Sequence, residues 1–243
     1  MIEPSLRLRR AIHAADPLLV RRILKSHPHL LHNPDTSLPH PLHHPADYAT
    51  GLSNTSLHLA AFLGLVPIIK VLLSLHHEAD GISLNEDHQT PLMLASRAGH
   101  TDAVHLLCTA FPQSIPKRDI RGRDAIIFAS EGGHDTCLQI LLTFAPGGPA
   151  ECLGNKDVDG NTALHYASSN GHLLVLRTLL AAGADSEVRN VWSWTPVAYS
   201  ATVQAEVYFK GLVGEVERRR AARRQAEERG TGGGVRVVGE GEE

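Results

Sequence analysis

One phrase is written several times along this chain, and that self-similarity narrows the possible folds more than any other feature. The clearest copy reads Asp159-Gly160-Asn161-Thr162-Ala163-Leu164-His165-Tyr166-Ala167-Ser168-Ser169-Asn170-Gly171-His172, followed by Val175, Leu176, Leu179, Leu180 and the turn Gly183-Ala184-Asp185. It returns as Thr90-Pro91-Leu92-Met93-Leu94-Ala95 with Gly99-His100, and as Thr55-Ser56-Leu57-His58-Leu59-Ala60-Ala61 with Gly64. Asp124-Ala125-Ile126-Ile127-Phe128-Ala129 with Gly133-His134 is a degenerate copy, and Trp194-Thr195-Pro196-Val197-Ala198 opens a last, atypical one. The markers Leu57, Leu92, Ile126, Leu164 and Val197 stand 35, 34, 38 and 33 residues apart. Such a period belongs to modules of two helices stacked in a row. At the front, Leu8-Arg9-Arg10-Ala11-Ile12 with Val20, Ile23 and Leu24 reads as a first unit without its turn.

The phrase has mechanical content. Thr is a capping hydroxyl at the start of a helix, and Pro fits the first turn, where its missing amide has no partner to lose. Gly64, Gly99, Gly133 and Gly171 end the first helix, where glycine tolerates a positive φ. In wording and period the phrase resembles the ankyrin repeat. That resemblance implies that the His side chain ties neighbouring turns together and that the Ala pair thins the first helix for close stacking. His58 and His165 keep the first role, whereas Met93 and Ile127 do not. Only 5% of the residues are aromatic, so the core is built of Leu, Ile, Val and Ala.

The expected architecture is all-α, a solenoid of about six stacked helix-turn-helix units over residues 5–213. Residues 5–26 form a cap-like first unit whose wet face carries Arg7, Arg9, Arg10, Arg21 and Arg22. A His/Pro-rich loop follows over 27–50, and repeats begin near 51, 86, 119, 157 and 190. The longer step of 38 is assigned to slack in the turn Phe144-Ala145-Pro146-Gly147-Gly148-Pro149. Residues 214–243 form a charged helix that gives way to a Gly-rich tail, its seven Arg balanced by seven Glu from 215 onward.

Composition excludes several functions. A net charge of -3 does not suit a protein that coats nucleic acid. Cys108, Cys137 and Cys152 lack the pairing of a disulfide scaffold or zinc site, which points to a reducing compartment. No apolar stretch has the length of a membrane span, and the amino terminus has no signal-peptide core. A cytoplasmic protein without direct membrane insertion is the expectation. Six histidines in the loop (His27, His29, His32, His40, His43 and His44) have no repeated ligand spacing, so no metal is expected. The glycine runs lack the Lys-Ser or Lys-Thr of a phosphate loop, and no nucleophile motif occurs. No catalytic residue, cofactor or small-molecule substrate is expected.

A row of such units presents its turn tips and the exposed positions of its first helices along one open surface. Reading by register, the tips hold Glu86, Asp87, Ile120, Arg121, Asp159, Val191 and Trp192; the helix positions hold Phe62, Leu63, Arg97, Ala98, Glu131, Gly132, Ser169 and Asn170. The residues expected to meet a protein partner are Phe62, Leu63, Asp87, Arg97, Arg121, Glu131, Asn170, Trp192 and Trp194, with Trp and Arg foremost because such residues dominate binding energies. Trp194 has a competing use, sealing the last unit.

The flanks carry a more particular resemblance. Glu3-Pro4-Ser5-Leu6-Arg7-Leu8-Arg9-Arg10-Ala11-Ile12, the segment His27-Pro28-His29-Leu30-Leu31, Phe111-Pro112, and Trp194-Thr195-Pro196 leading to Glu206-Val207-Tyr208 are similar to the ankyrin subunit of the fungal target-of-rapamycin complex two. The resemblance implies a non-catalytic accessory subunit of a large kinase assembly that works at the plasma membrane, with other subunits as partners. A generic ankyrin adaptor, such as a substrate receptor or a transcription-factor partner, is the alternative. The long His/Pro insertion departs from that family, and its Ser-rich tail has no counterpart here.

Overall fold

The computed structural model describes residues 3–31, 54–78 and 81–231. Most of the His/Pro-rich insertion, including His32, His40, His43 and His44, and the last twelve residues lie outside the described residues. Among the described residues all regular structure is helical, and the helices pair in chain order. α1 (Pro4–His13) and α2 (Pro17–Ser26) make the first hairpin. α3 (Ser56–Phe62) with α4 (Val66–Ser74), and α5 (Pro91–Ala98) with α6 (Thr101–Ala110), make the next two. α7 (Ala125–Gly132) and α8 (Asp135–Phe144) follow, then a short α9 (Pro149–Leu153), then α10 (Ala163–Ser169) and α11 (Leu173–Ala182). The chain closes on α12 (Val203–Thr231).

The inner first helices are sandwiched between their neighbours: α5 lies against α3 and α7, and α7 against α5 and α10. A helix enclosed on both sides must be apolar all round. Accordingly Pro91 through Ser96 are all buried, as are Ala125 through Ser130. Second helices bury one stripe only, such as Val104, Leu107 and Cys108 on α6. One core therefore runs unbroken from Leu8 to Phe209.

The helix starts form as the sequence dictates. Thr90 Oγ1 accepts the Met93 amide at 3.2 Å, and in the degenerate copy Asp124 Oδ1 does the same for Ile127 at 2.8 Å. The His variant of this start also reaches across to the next unit. Nδ1 of His58 accepts from the Thr55 hydroxyl at 2.8 Å, while its Nε2–H donates to the Gln89 carbonyl at 2.9 Å. His165 repeats the arrangement between Thr162 (3.0 Å) and the Trp194 carbonyl (3.1 Å). Both rings must be neutral to accept and donate at once. Burial pushes the His58 imidazole down to about 4 and lowers His165 as well.

A second stitch lies in the Gly-His step. His100, His134 and His172 each donate Nε2–H to a carbonyl of the preceding unit, those of Phe62 (2.9 Å), Arg97 (3.1 Å) and Glu131 (3.0 Å). The ring lies against the glycine of that preceding unit. A Cβ on Gly99 would sit 2.5 Å from the His134 ring, and one on Gly133 2.6 Å from His172. These glycines are thus needed twice, for a φ of 77° or 76° and for the space the ring fills.

Two expectations are corrected. The segment after Phe144 is packed structure and not slack: a turn over 145–148 leads into α9, whose Cys152 and Leu153 are buried against α11. The sequence that follows the last Thr-Pro does not build a first α-helix, only a 3-10 turn over Val197–Tyr199. Ser200 instead bonds Ser168 at 3.1 Å, and the Thr202 hydroxyl caps α12 through the Ala205 amide at 3.1 Å. The chain is diverted before a helix can complete. α12 then buries Ala205 and Phe209 and packs Leu212, Val213 and Val216 on the core, continuing without a break past residue 213.

Gly99→Ala is expected to lower stability by about 2 kcal/mol or more, since it adds left-handed strain to a steric conflict. Gly211→Ala, in α12 with nothing within 4 Å of the added methyl, is expected to raise it by about 0.5–1 kcal/mol. Chemical denaturation checks both. Stability is also expected to fall as pH drops from 7 toward 4, because the unfolded His58 takes up a proton near 6.5 while the folded ring resists until about 4. The loss amounts to about 3 kcal/mol across that window, and His58→Gln should flatten this part of a plot of melting temperature against pH.

Candidate partner-binding surface

Between units the chain turns through a five-residue tip, and the same register recurs at Asn85–Gln89, Asp119–Arg123, Asp157–Asn161 and Asn190–Trp194. The first amide of each tip donates to the fifth carbonyl, at 3.1, 2.9, 3.0 and 3.1 Å in turn. The first side chain is folded inward and takes up the tip's own amides. Asp119 Oδ1 accepts from Arg121 (2.9 Å) and Arg123 (2.7 Å), and Asp157 Oδ1 from Asp159 (2.9 Å) and Asn161 (2.7 Å). Asn190 Oδ1 accepts from Trp192 and Trp194, both at 3.0 Å. Asp and Asn suit this place because a short side-chain carbonyl reaches amides two and four residues on. The fourth residue takes a positive φ: glycine at 122 and 160, but His88 (58°) and Ser193 (64°) in the outer tips.

Adjacent tips are joined by backbone. The amides of Ile120, Val158 and Val191 donate to the carbonyls of Asp87 (3.0 Å), Arg121 (2.9 Å) and Asp159 (3.0 Å). This ladder occupies the amide of the second tip residue and the carbonyl of the third, and the second-position side chains of the later three tips reach solvent. Ile120 is 55% exposed, Val158 64%, Val191 62% and Trp192 54%. Val158 is absent from the residues expected from sequence. Its register, one place before Asp159, is the signal that would have found it.

The first-helix candidates divide into tied and open. Phe62, Arg97 and Glu131 lend their carbonyls to the histidine stitch, and Asn170 Nδ2 donates to the Glu131 carbonyl at 2.8 Å. The Glu131 carboxylate lies 3.5 Å from Arg123, whose guanidinium pairs with Asp119 at 2.9 Å and covers the Phe128 ring at 4.4 Å. Phe62 and Leu63 are half-buried, Leu63 against the core. The Arg97 and Arg121 side chains are exposed and Asp87 is half-exposed. Trp194 sets its indole edge-on to Tyr199 at 5.4 Å yet stays 53% exposed, so it borders the last unit without being sealed in it.

Burial determines the remaining chemistry. All three cysteines are buried, and desolvation pushes each thiol up, Cys108 to about 12, which keeps them protonated near neutrality. Burial also raises Asp124 despite the hydrogen bonds from Asn155 and Ile127. Among the described residues no three His, Cys, Asp or Glu side chains are grouped to hold a metal ion, and no helix is long and apolar enough to cross a membrane.

Comparison with known proteins agrees with this geometry. The family model "Ankyrin repeats (3 copies)" matches residues 10–119 and 111–190. Among curated proteins, the target of rapamycin complex 2 subunit AVO2 of Saccharomyces cerevisiae is 30% identical over 220 residues, covering 89% of this chain and 47% of the yeast protein. The putative E3 ubiquitin-protein ligase XBAT31 of Arabidopsis thaliana is 29% identical over 139 residues, 57% of this chain and 27% of that protein. The chain thus spans about half of the yeast relative and less of the plant one. The crystal structure of EF0377, an ankyrin repeat protein, superposes with a TM-score of 0.64 at 21% identity, over 88% of this chain and 98% of that one.

Trp192→Ala is expected to leave stability within about 0.5 kcal/mol, as for other exposed positions. Asp157→Ala should cost about 2–4 kcal/mol, since it strands two tip amides and the Tyr166 hydroxyl, which donates to Asp157 Oδ2 at 2.7 Å. Urea titration separates the two, and a large loss in the tryptophan variant would remove Trp192 from the open surface.

Proposed function

This chain belongs to the ankyrin-repeat family, and we propose that within it the protein is a non-catalytic scaffold, an accessory subunit of a target-of-rapamycin-complex-two-type kinase assembly. The fold and the likeness to a complex subunit support a protein-interaction scaffold. The finer reading rests chiefly on one observation: the 220-residue likeness to the yeast subunit is longer than the 10–190 span that generic repeats account for. It therefore takes in flanking sequence as well as repeat. The partners are other subunits of the kinase complex, met in the cytoplasm, and any approach to the plasma membrane runs through them.

The contact surface we propose is the open tip row with Arg97 beside it. Asp87, Arg121, Trp192 and Trp194 have side chains available there, and Trp and Arg are the residues whose truncation most often costs binding energy. Phe62, Leu63, Glu131 and Asn170 are kept in the proposed surface as its supporting floor. A second reading, an adaptor that receives substrates for a ubiquitin ligase, draws on the plant relatives. That likeness spans 139 residues, less than the repeats themselves.

Tagged protein purified from its own cells at moderate ionic strength should bring kinase-complex subunits with it. Arg121→Ala combined with Trp192→Ala should reduce their recovery about ten-fold or more while thermal stability holds, in line with the loss of an Arg and a Trp contact. Stoichiometric recovery of a different set of proteins, with no kinase-complex subunit, would contradict the assignment.

A further inference from the structure

The tip row has a spacing as well as a composition, and the spacing selects among ligand conformations. Moving from one tip to the next crosses one N–H···O bond, about 4.8 Å between chains, and one peptide step of about 3.8 Å. The helix layers behind stack at about 8–10 Å. Equivalent side chains therefore recur roughly every 8–10 Å along the row. Same-face residues of a β-strand recur about every 6.6 Å, and those of an α-helix after about 5.4 Å for one turn or 10.5 Å for seven residues. A polyproline II segment returns to the same face every three residues, about 9.3 Å, which falls inside the interval.

The hydrogen bonding points the same way. Strand addition needs free amides and carbonyls on the receiving edge. Here the amides of Ile120, Val158 and Val191 and the carbonyls of Asp87, Arg121 and Asp159 already bond one another. Polyproline II needs no such edge, and aromatic side chains are its usual receptors. Val191, Trp192 and Trp194 stand at one end of the row, each more than half exposed.

We propose that the tip row reads a polyproline II segment of a partner protein, one residue in three. Ile120, Val158 and Val191 form the apolar line. Alongside it the third tip residues give the charge order Asp87, Arg121, Asp159, then Trp192. The complementary ligand carries apolar residues at three-residue intervals, flanked in order by a basic, an acidic and a basic residue, with proline over the indoles. This rests on the reading of the tips as the partner surface and adds the conformation and charge code of what they take.

The probe is the synthetic peptide Pro-Pro-Leu-Lys-Pro-Leu-Glu-Pro-Leu-Lys-Pro-Pro, added to the whole protein. Both tryptophans of the chain lie in the last tip, so their emission reports occupancy without a label. A saturable emission change is expected, weakened about ten-fold when Lys and Glu exchange places in the peptide. Arg121→Glu should lose the original peptide and prefer the one with Lys at all three charged places. The inference is overturned by equal binding of the charge-exchanged peptide, by tighter binding of an α-helical peptide with the same residues at seven-residue spacing, or by no binding of any peptide. If the peptides fail while Trp192→Ala still strips kinase subunits from the purified protein, the code falls and the partner surface stands. If Trp192→Ala strips nothing, the partner surface falls and takes the code with it.

Discussion

Everything in this molecule depends on the fact that no hairpin can bury its own faces. α5 and α7 are buried over six consecutive residues each, Pro91–Ser96 and Ala125–Ser130, and such helices exist in water only between neighbours that cover them. The chain meets this constraint at its three inner junctions with a repeated joint: a left-handed glycine, an imidazole laid against it, and one N–H given to the carbonyl of the unit before. Stacking and hydrogen bonding are not separate contributions here. The ring fills the space that the absent Cβ leaves, and its donor satisfies the end of a helix that would otherwise have an orphan carbonyl.

The same constraint accounts for where the molecule is open. Once the helices are committed to one another, the loops between them become rigid extensions of the stack. Inward-folded Asp and Asn side chains take the third and fifth tip amides, and the inter-tip ladder takes the second amides. At the second and third positions of the later three tips the side chains reach solvent: Ile120, Arg121, Val158, Asp159, Val191 and Trp192 are all exposed. Ile120, Val158, Val191 and Trp192 are apolar and exposed along one edge, which monomeric proteins seldom leave uncovered. A rigid scaffold carrying an adaptable edge is what a protein-recognition device requires, since a preorganised surface loses little entropy on binding.

The repeat carried most of the fold in plain view. Thr-Pro, Leu-His and Gly-His each mark a local event, a cap, a tie and a turn, and local events are what sequence reports well. The reading failed where one long-range contact overrode a local signal. Thr195-Pro196 announces a helix, yet the chain is diverted where Ser200 bonds Ser168, 32 residues away, a contact with no short-range trace; the Thr202 cap that then starts α12 is local. The residues after Phe144 look like loop because Pro and Gly dominate, while burial of Cys152 and Leu153 makes them a helix. At the surface, the register located the tips but could not distinguish Glu131, tied to Arg123, from Arg121, which is exposed. Both are charged residues at repeat positions, and only packing separates them.

The most direct test of the stacked account is amide hydrogen exchange at Ile120, Val158 and Val191. Residues in exposed turns exchange at near-coil rates unless bonded, and here each amide is bonded to a neighbouring unit. Protection comparable to that of the flanking helices, lost together with theirs as denaturant rises, is the predicted result. Fast exchange at these three amides beside protected helices would mean that the tips are independent loops, and a rigid row for partners would not exist.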